Sequence, residues 1–145
     1  KVKESILPVG RLDMYTSGAL ILSNDGEFIY KVTHPKYEIE KAYNVTLKGK
    51  ITKEEIEMLE KGVKIDDYIS GKAKVKILKD EVKDISRIEI TIHEGKNREV
   101  RKMCNAIGKK VLALHRSRIG NINVKDLKLG EWKYLKSGQI KELIK

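Results

Sequence analysis

Three groups of polar side chains in this 145-residue chain have types and spacings that could do chemistry. The first is Gly10-Arg11-Leu12-Asp13, followed by Thr16 and Gly18, just ahead of the apolar run Ala19–Leu22. A carboxylate on a loop placed by a rigid strand can act as nucleophile or base, and flanking glycines let a substrate or another backbone approach. An aspartate in such a loop is also an ordinary turn cap, and the spacing alone leaves both readings open. The second group is Glu94-Gly95-Lys96-Asn97-Arg98-Glu99-Val100-Arg101-Lys102, a turn opening into a helix. The cations Lys96, Arg98, Arg101 and Lys102 gather around a helix start whose free amides add partial positive charge, which suits phosphate. The competing reading is a solvated helix face on which Glu99 pairs a neighbour. Arg98 and Arg101 are three residues apart and share a face, from which an arginine could meet a carboxylate on another loop. The third group is Lys41 and Tyr43, two residues apart on one strand face, where a tyrosine can stack on a base and offer a proton-transfer hydroxyl while the lysine holds phosphate. Core packing with the hydroxyl at the rim is the alternative for Tyr43. His115, Arg116 and Arg118 add basic residues on another expected strand, whereas His34, His93 and His115 lack the spacing of a metal site or a catalytic triad.

These groups need elements to hold them. Ala19–Ser23 reads as a buried strand, and Asn24-Asp25-Gly26 as a turn whose Asn or Asp caps a short helix over 26–34, stopped by Pro35. Residues 39–47 alternate as a strand with Tyr43, Val45 and Leu47 on one face. Thr52 and Glu55 form a capping box for a helix that carries Ile56 and Leu59 and ends at Gly62. The period-two runs 72–77 and 87–92 predict strands in antiparallel pairing around a polar connection at 79–84. Asn97 is expected to cap a helix over 98–107, with Val100, Met103, Cys104 and Ile107 on its core face. Further strands are expected over 111–119 and 132–135, and a last helix from Ser137. The sum is an α+β domain, a mixed, mainly antiparallel sheet flanked by helices.

The bulk properties bound the function. Lys and Arg number 31 against 21 Asp and Glu, a net charge of +10. Such a balance points to a polyanionic partner, nucleic acid first, because neutralised phosphates release their counterions; a lysine-rich surface without a nucleic-acid partner is the other reading. The one cysteine, Cys104, has no disulfide partner and fits a reducing cytoplasm. No apolar run is long enough to span a membrane. There is no repeat and no low-complexity linker, and one compact domain, a monomer, is expected.

Gly-Arg-Leu-Asp with Thr-Ser-Gly and an apolar strand, then Lys-Ala-Tyr, Glu-Gly-Lys-Asn-Arg-Glu-Val-Arg, Arg-Ile-Gly-Asn-Ile and Leu-Lys-Leu-Gly-Glu-Trp come in order along nearly the whole chain. This series closely resembles the RsuA family of ribosomal RNA pseudouridine synthases (RsuA, RluB, RluE and RluF). The segment HPKYEIEKAY is most similar to the RluB branch, whose members modify large-subunit rRNA. The resemblance implies a pseudouridine synthase catalytic fold over residues 1–145. The family's upstream RNA-binding domain of S4 type and its Asn-Lys-Pro strand do not precede Gly10, and the chain starts at Lys1 without Met, so a fragment lacking that first strand is expected.

The resemblance also implies roles. Asp13 matches the catalytic aspartate, Tyr43 the tyrosine that stacks on the target uracil and is a candidate to take the C5 proton, and Arg101 the basic residue that ion-pairs the aspartate. Val100 matches the small apolar residue beside the base, and Arg11 the arginine that helps hold the flipped state. Lys41, Lys96, Arg98, Lys102 and Arg116 are expected to meet RNA. The reaction has no net redox change and needs no energy input, so no cofactor and no metal are expected. A non-catalytic RNA-binding module in ribosome assembly is the rival reading; it has no need of a carboxylate facing a polyanion. A DNA-binding regulator is set aside, since the one basic helix also carries a core stripe.

Overall fold

The computed structural model describes residues 4–79, 83–96 and 98–145. The chain runs β1 (Leu7–Val9), β2 (Thr16–Gly18), β3 (Ile21–Ser23), α1 (Gly26–Thr33), a 3₁₀ turn (Pro35–Tyr37), β4 (Lys41–Lys48), α2 (Lys53–Lys61), β5 (Lys64–Ile65), β6 (Tyr68–Ile69), β7 (Lys74–Lys79), β8 (Ile85–Ile92), α3 (Glu99–Ala106), β9 (Val111–Ile119), β10 (Ile122–Asn123) and α4 (Ser137–Leu143). The α+β expectation holds. The main sheet is ordered β10-β9-β4-β8-β7, with β2 added beside β9. All its pairings are antiparallel except β2 with β9, which is parallel.

One face of this sheet is apolar because every second residue of its central strands is: Val45 and Leu47, Ile88, Ile90 and Ile92, and Leu114 are all buried. α2 and α3 cover that face, bringing Leu59, Val100, Met103, Cys104 and Ile107 into the same core. α2 starts on the expected capping box, with Thr52 Oγ1 accepting from the Glu55 N–H at 3.1 Å and Glu55 Oε1 accepting from the Thr52 N–H at 2.8 Å. Cys104 is structural, fully buried, and its thiol pKa is pushed up to about 12 by that burial. A second core joins Val9, Ala19, Ile21, Phe28, Val32, Ile119, Ile122 and Leu143, tying β1, β3, α1 and α4 to the end of β9.

The structure differs from the sequence reading in three places. Residues 19–23 do not form one buried strand: β3 spans only Ile21–Ser23 and pairs with β1 in a two-stranded ribbon, which leaves Leu20 and Leu22 exposed on its outer face. Residues 132–135 form no strand; Trp132 and Tyr134 pack edge to face on each other instead. The expected cap Asn97 lies outside the described residues, and Arg98, in left-handed conformation, occupies the α3 N-cap without a side-chain capping bond.

Candidate active site

The chain from Gly10 to Tyr15 makes an excursion between two anchored strands. β1 is held by β3 at one end, and β2 by β9 at the other. Gly10 has φ +78° and Tyr15 φ +68°, so the loop turns back on itself, and the Thr16 N–H donates to Asp13 O at 3.0 Å. At Gly18, φ is +120° and a Cβ would overlap the Arg116 backbone, so only glycine permits this close parallel approach to β9. Asp13 therefore stands at the head of β2 with its side chain about one quarter exposed.

The loop borders a cleft of about 900 Å³ whose lining includes Arg11, Asp13, Lys41, Tyr43, Lys96, Arg98, Glu99, Val100 and Arg116. Tyr43 and Arg116 are register partners on β4 and β9, which places both on the same sheet face. Arg116 is buried; its Nε and Nη2 donate to Ala19 O at 3.0 and 2.7 Å, and its Nη1 donates to Arg11 O at 3.3 Å. One guanidinium thus ties the start and the end of the Asp13 loop to β9. Burial raises the Tyr43 hydroxyl pKa and the Arg116 charge opposes the rise; the net direction is upward, which keeps the phenol protonated at neutral pH. Burial lowers the Lys41 pKa, Arg116 lowers it further, and Glu99 opposes both.

Arg101 is not where the sequence reading put it. Its Nη2 donates to Tyr15 O at 2.9 Å and to Thr16 Oγ1 at 3.5 Å, and Arg101 itself is not among the residues lining the cleft. Among the described residues it makes no ion pair with Asp13; the partner that Asp13 has is Arg11, at 3.8 Å. The physical reason is the left-handed turn at Tyr15, which presents a backbone carbonyl to α3 and so takes the guanidinium. Arg101 Nε remains buried without an acceptor among the described residues. Lys102 is not brought to the cleft either: its Nζ pairs with Asp66 at 2.8 Å on the β5–β6 turn. Arg116, expected to meet RNA, lines the cleft but directs its guanidinium to the Ala19 and Arg11 carbonyls and to the Tyr43 side chain. Arg11, Lys96 and Arg98 are exposed at the cleft and Val100 is buried in its wall.

Of the two readings of this helix start, the solvated face does not hold for Glu99, which is 3% exposed and lines the cleft. Its Oε1 accepts from the Lys96 N–H at 3.1 Å, so α3's own side chain takes up one of the amides expected to receive phosphate. Its Oε2 is buried with no donor among the described residues and has the Glu94 carboxylate for a neighbour, the arrangement of a shared proton. Burial, followed by that hydrogen bond, pushes the Glu99 pKa up to about 8, while the same bond lowers that of Glu94. Glu94 is held in turn by the Gly71 N–H at 2.5 Å. The signal available in the sequence was two glutamates flanking a Gly-Lys turn, five residues apart, one of them within the first turn of an apolar-striped helix.

A cleft with a partly exposed carboxylate, a half-buried protonated tyrosine and a cationic rim can hold an anionic polymer and act on one unit of it. The family profile described as RNA pseudouridylate synthase matches residues 1–106. The chain is 43% identical over 143 residues to the ribosomal large subunit pseudouridine synthase B of Bacillus subtilis (strain 168), covering 98% of this chain and 59% of that protein. It is 36% identical over 140 residues to the dual-specificity RNA pseudouridine synthase RluF of Escherichia coli (strain K12), covering 97% and 47%. A solved structure described as a crystal structure of pseudouridylate synthase matches with a TM-score of 0.88 at 32% identity, over 95% of this chain and 59% of that one. The chain spans about half to three fifths of the length of these relatives. On the strength of the profile match and these identities, the chain belongs to the RNA pseudouridylate synthase family.

Proposed function

We propose that the chain is the catalytic unit of a ribosomal RNA pseudouridine synthase acting on large-subunit RNA in the cytoplasm. The observation that carries this reading is the meeting of Asp13 and Tyr43 in one basic cleft of a family member. The reaction breaks the N1–C1′ bond of a uridine, turns the uracil and rejoins it through C5, which then gives up its proton to N1 or solvent; atoms balance without redox change. Asp13 acts either by covalent attack on sugar or base, or by taking a proton from C2′ to give a glycal. Tyr43 stacks on the turned-out uracil; its phenol, protonated at neutral pH, is a hydrogen-bond donor to the base rather than the acceptor of the C5 proton, which leaves to solvent as N1 takes one up. Arg101 acts on Asp13 through the backbone, by fixing the Tyr15 carbonyl two residues on. Arg11, Lys96 and Arg98 supply phosphate contacts that offset the cost, a few kcal/mol, of unstacking the base. A nucleotide-resolution pseudouridine map of rRNA from cells with and without the gene tests the reading. One large-subunit uridine is expected to lose its modification in the deletion and regain it with the wild-type gene; two identical maps would refute it.

A further inference from the structure

The cleft continues at one edge into a surface cluster that its chemistry does not use. α1 buries Phe28 and Val32, which leaves its other face to carry Tyr30 and, at the C-cap, His34; the 3₁₀ turn then brings up Lys36 and Tyr37. The Tyr30 and His34 rings lie 4.7 Å apart between centroids, and Tyr37 meets Tyr30 edge to face at 6.1 Å and His34 at 6.4 Å. The Lys36 ammonium sits 5.8 Å from the Tyr30 ring centre and 5.1 Å from that of Tyr37. Both tyrosines remain 40% or more exposed, although the second core lies directly beneath their helix. Thr33, His34 and Pro35 at the base of the cluster line the cleft that holds Asp13 and Tyr43.

We propose that Tyr30, His34, Lys36 and Tyr37 form a stacking site for an unpaired nucleobase of the RNA strand whose neighbouring uridine enters the cleft, an inference that rests on the function proposed above. Exposed aromatic rings beside a cation are what a single-stranded base and its phosphate require: every base has a π face, and the phosphate needs a positive partner. A base turned out of its stack leaves its neighbour without one, and a ring cluster continuous with the cleft wall replaces the lost contact. Lys36 covers the ring faces in the free protein; when a base takes its place, the ammonium is left beside the phosphate that follows. Net charge of +10 supplies the attraction that brings the strand there.

The test uses the full chain and a nine-nucleotide oligouridylate carrying one 5-iodouridine, with photo-crosslinks mapped by mass spectrometry and affinity read by fluorescence anisotropy. Crosslinks on Tyr30 or Tyr37 are expected. Tyr30→Leu/Tyr37→Leu, which keeps apolar bulk and removes both π faces, is expected to bind roughly tenfold more weakly, and Lys36→Gln to lower the salt dependence of binding. Affinity within twofold of wild type for a folded Tyr30→Leu/Tyr37→Leu chain, with no crosslink at 30–37, overturns the site. Release of tritium from C5-labelled uridine is measured in parallel. Release without ring crosslinks overturns the stacking site and leaves the enzyme, whereas ring crosslinks without release retain the site and overturn the enzyme.

Discussion

Replacing Arg116 by Met tests the claim that one buried guanidinium holds the active-site loop on the sheet. Methionine keeps the length and most of the apolar volume of the side chain, so the change isolates the donors. Three bonds to backbone carbonyls are lost, to Ala19 O twice and to Arg11 O once, together with the side-chain bond to Tyr43. Bonds from a charged donor contribute about 1.5–3 kcal/mol each, but two of the three carbonyl bonds share one oxygen, so their loss is that of two acceptors, about 3–6 kcal/mol. Removing a cation that burial had desolvated offsets part of this, leaving a net destabilisation of about 2–4 kcal/mol. At about 2–4 °C per kcal/mol for a domain near this size, the melting temperature should fall by roughly 5–15 °C. Differential scanning calorimetry of Arg116→Met reads it, with the exposed Arg87→Met as the control expected to stay within about 0.5 kcal/mol. Arg116→Lys restores charge but not the fork and should recover less than half of the loss. If Arg116→Met melts within a degree or two of wild type, the guanidinium does not hold the loop.

Further outcomes follow from the same contacts. Gly18→Ala sets a side chain onto the Arg116 backbone at a φ that L residues rarely adopt, so it should unpair β2 from β9 and destabilise by more than about 3 kcal/mol, read by urea denaturation; a shift within error refutes the close approach. In the folded chain Glu99 holds a proton that the unfolded chain releases between its ordinary 4.5 and about 8. The native state therefore binds more protons across that window, and stability should fall as pH rises through it. Glu99→Gln should flatten that decline in melting temperature, whereas an unchanged slope means Glu99 carries no such proton. Cys104, buried and with its thiol pKa pushed up to about 12, should react with a disulfide reagent only at the rate of unfolding; fast labelling of the native chain contradicts its place in the core.

What was legible in the sequence followed from local rules. α2 was readable because Thr52 and Glu55 satisfy each other's amides within four residues, and α3 because Val100, Met103, Cys104 and Ile107 recur at helical spacing. The face bearing Tyr43 was readable from strand alternation. What was not legible depends on partners far apart in the chain. The run 19–23 is apolar enough for a core strand, but β1 fixes it as a ribbon with one open side, which no local pattern records. Arg101 was assigned to Asp13 by matching the family's arrangement, and the left-handed turn at Tyr15 gave it a nearer acceptor. Arg116 looked like a surface cation among others; the parallel pairing of β2 with β9 buries it. For Glu99 the sequence leaves a solvated, paired glutamate as one of two readings of its helix, and only the fold places Glu94 beside it.

Tritium release from C5-labelled uridine in an rRNA transcript, with wild type and Asp13→Asn compared at equal RNA occupancy, tests the role proposed for the Asp13 carboxylate in the isomerisation. Wild type is expected to release tritium and Asp13→Asn none above background, since its near-isosteric amide keeps the loop and the RNA binding but cannot act as nucleophile or base. Release by Asp13→Asn at the wild-type rate would contradict that role.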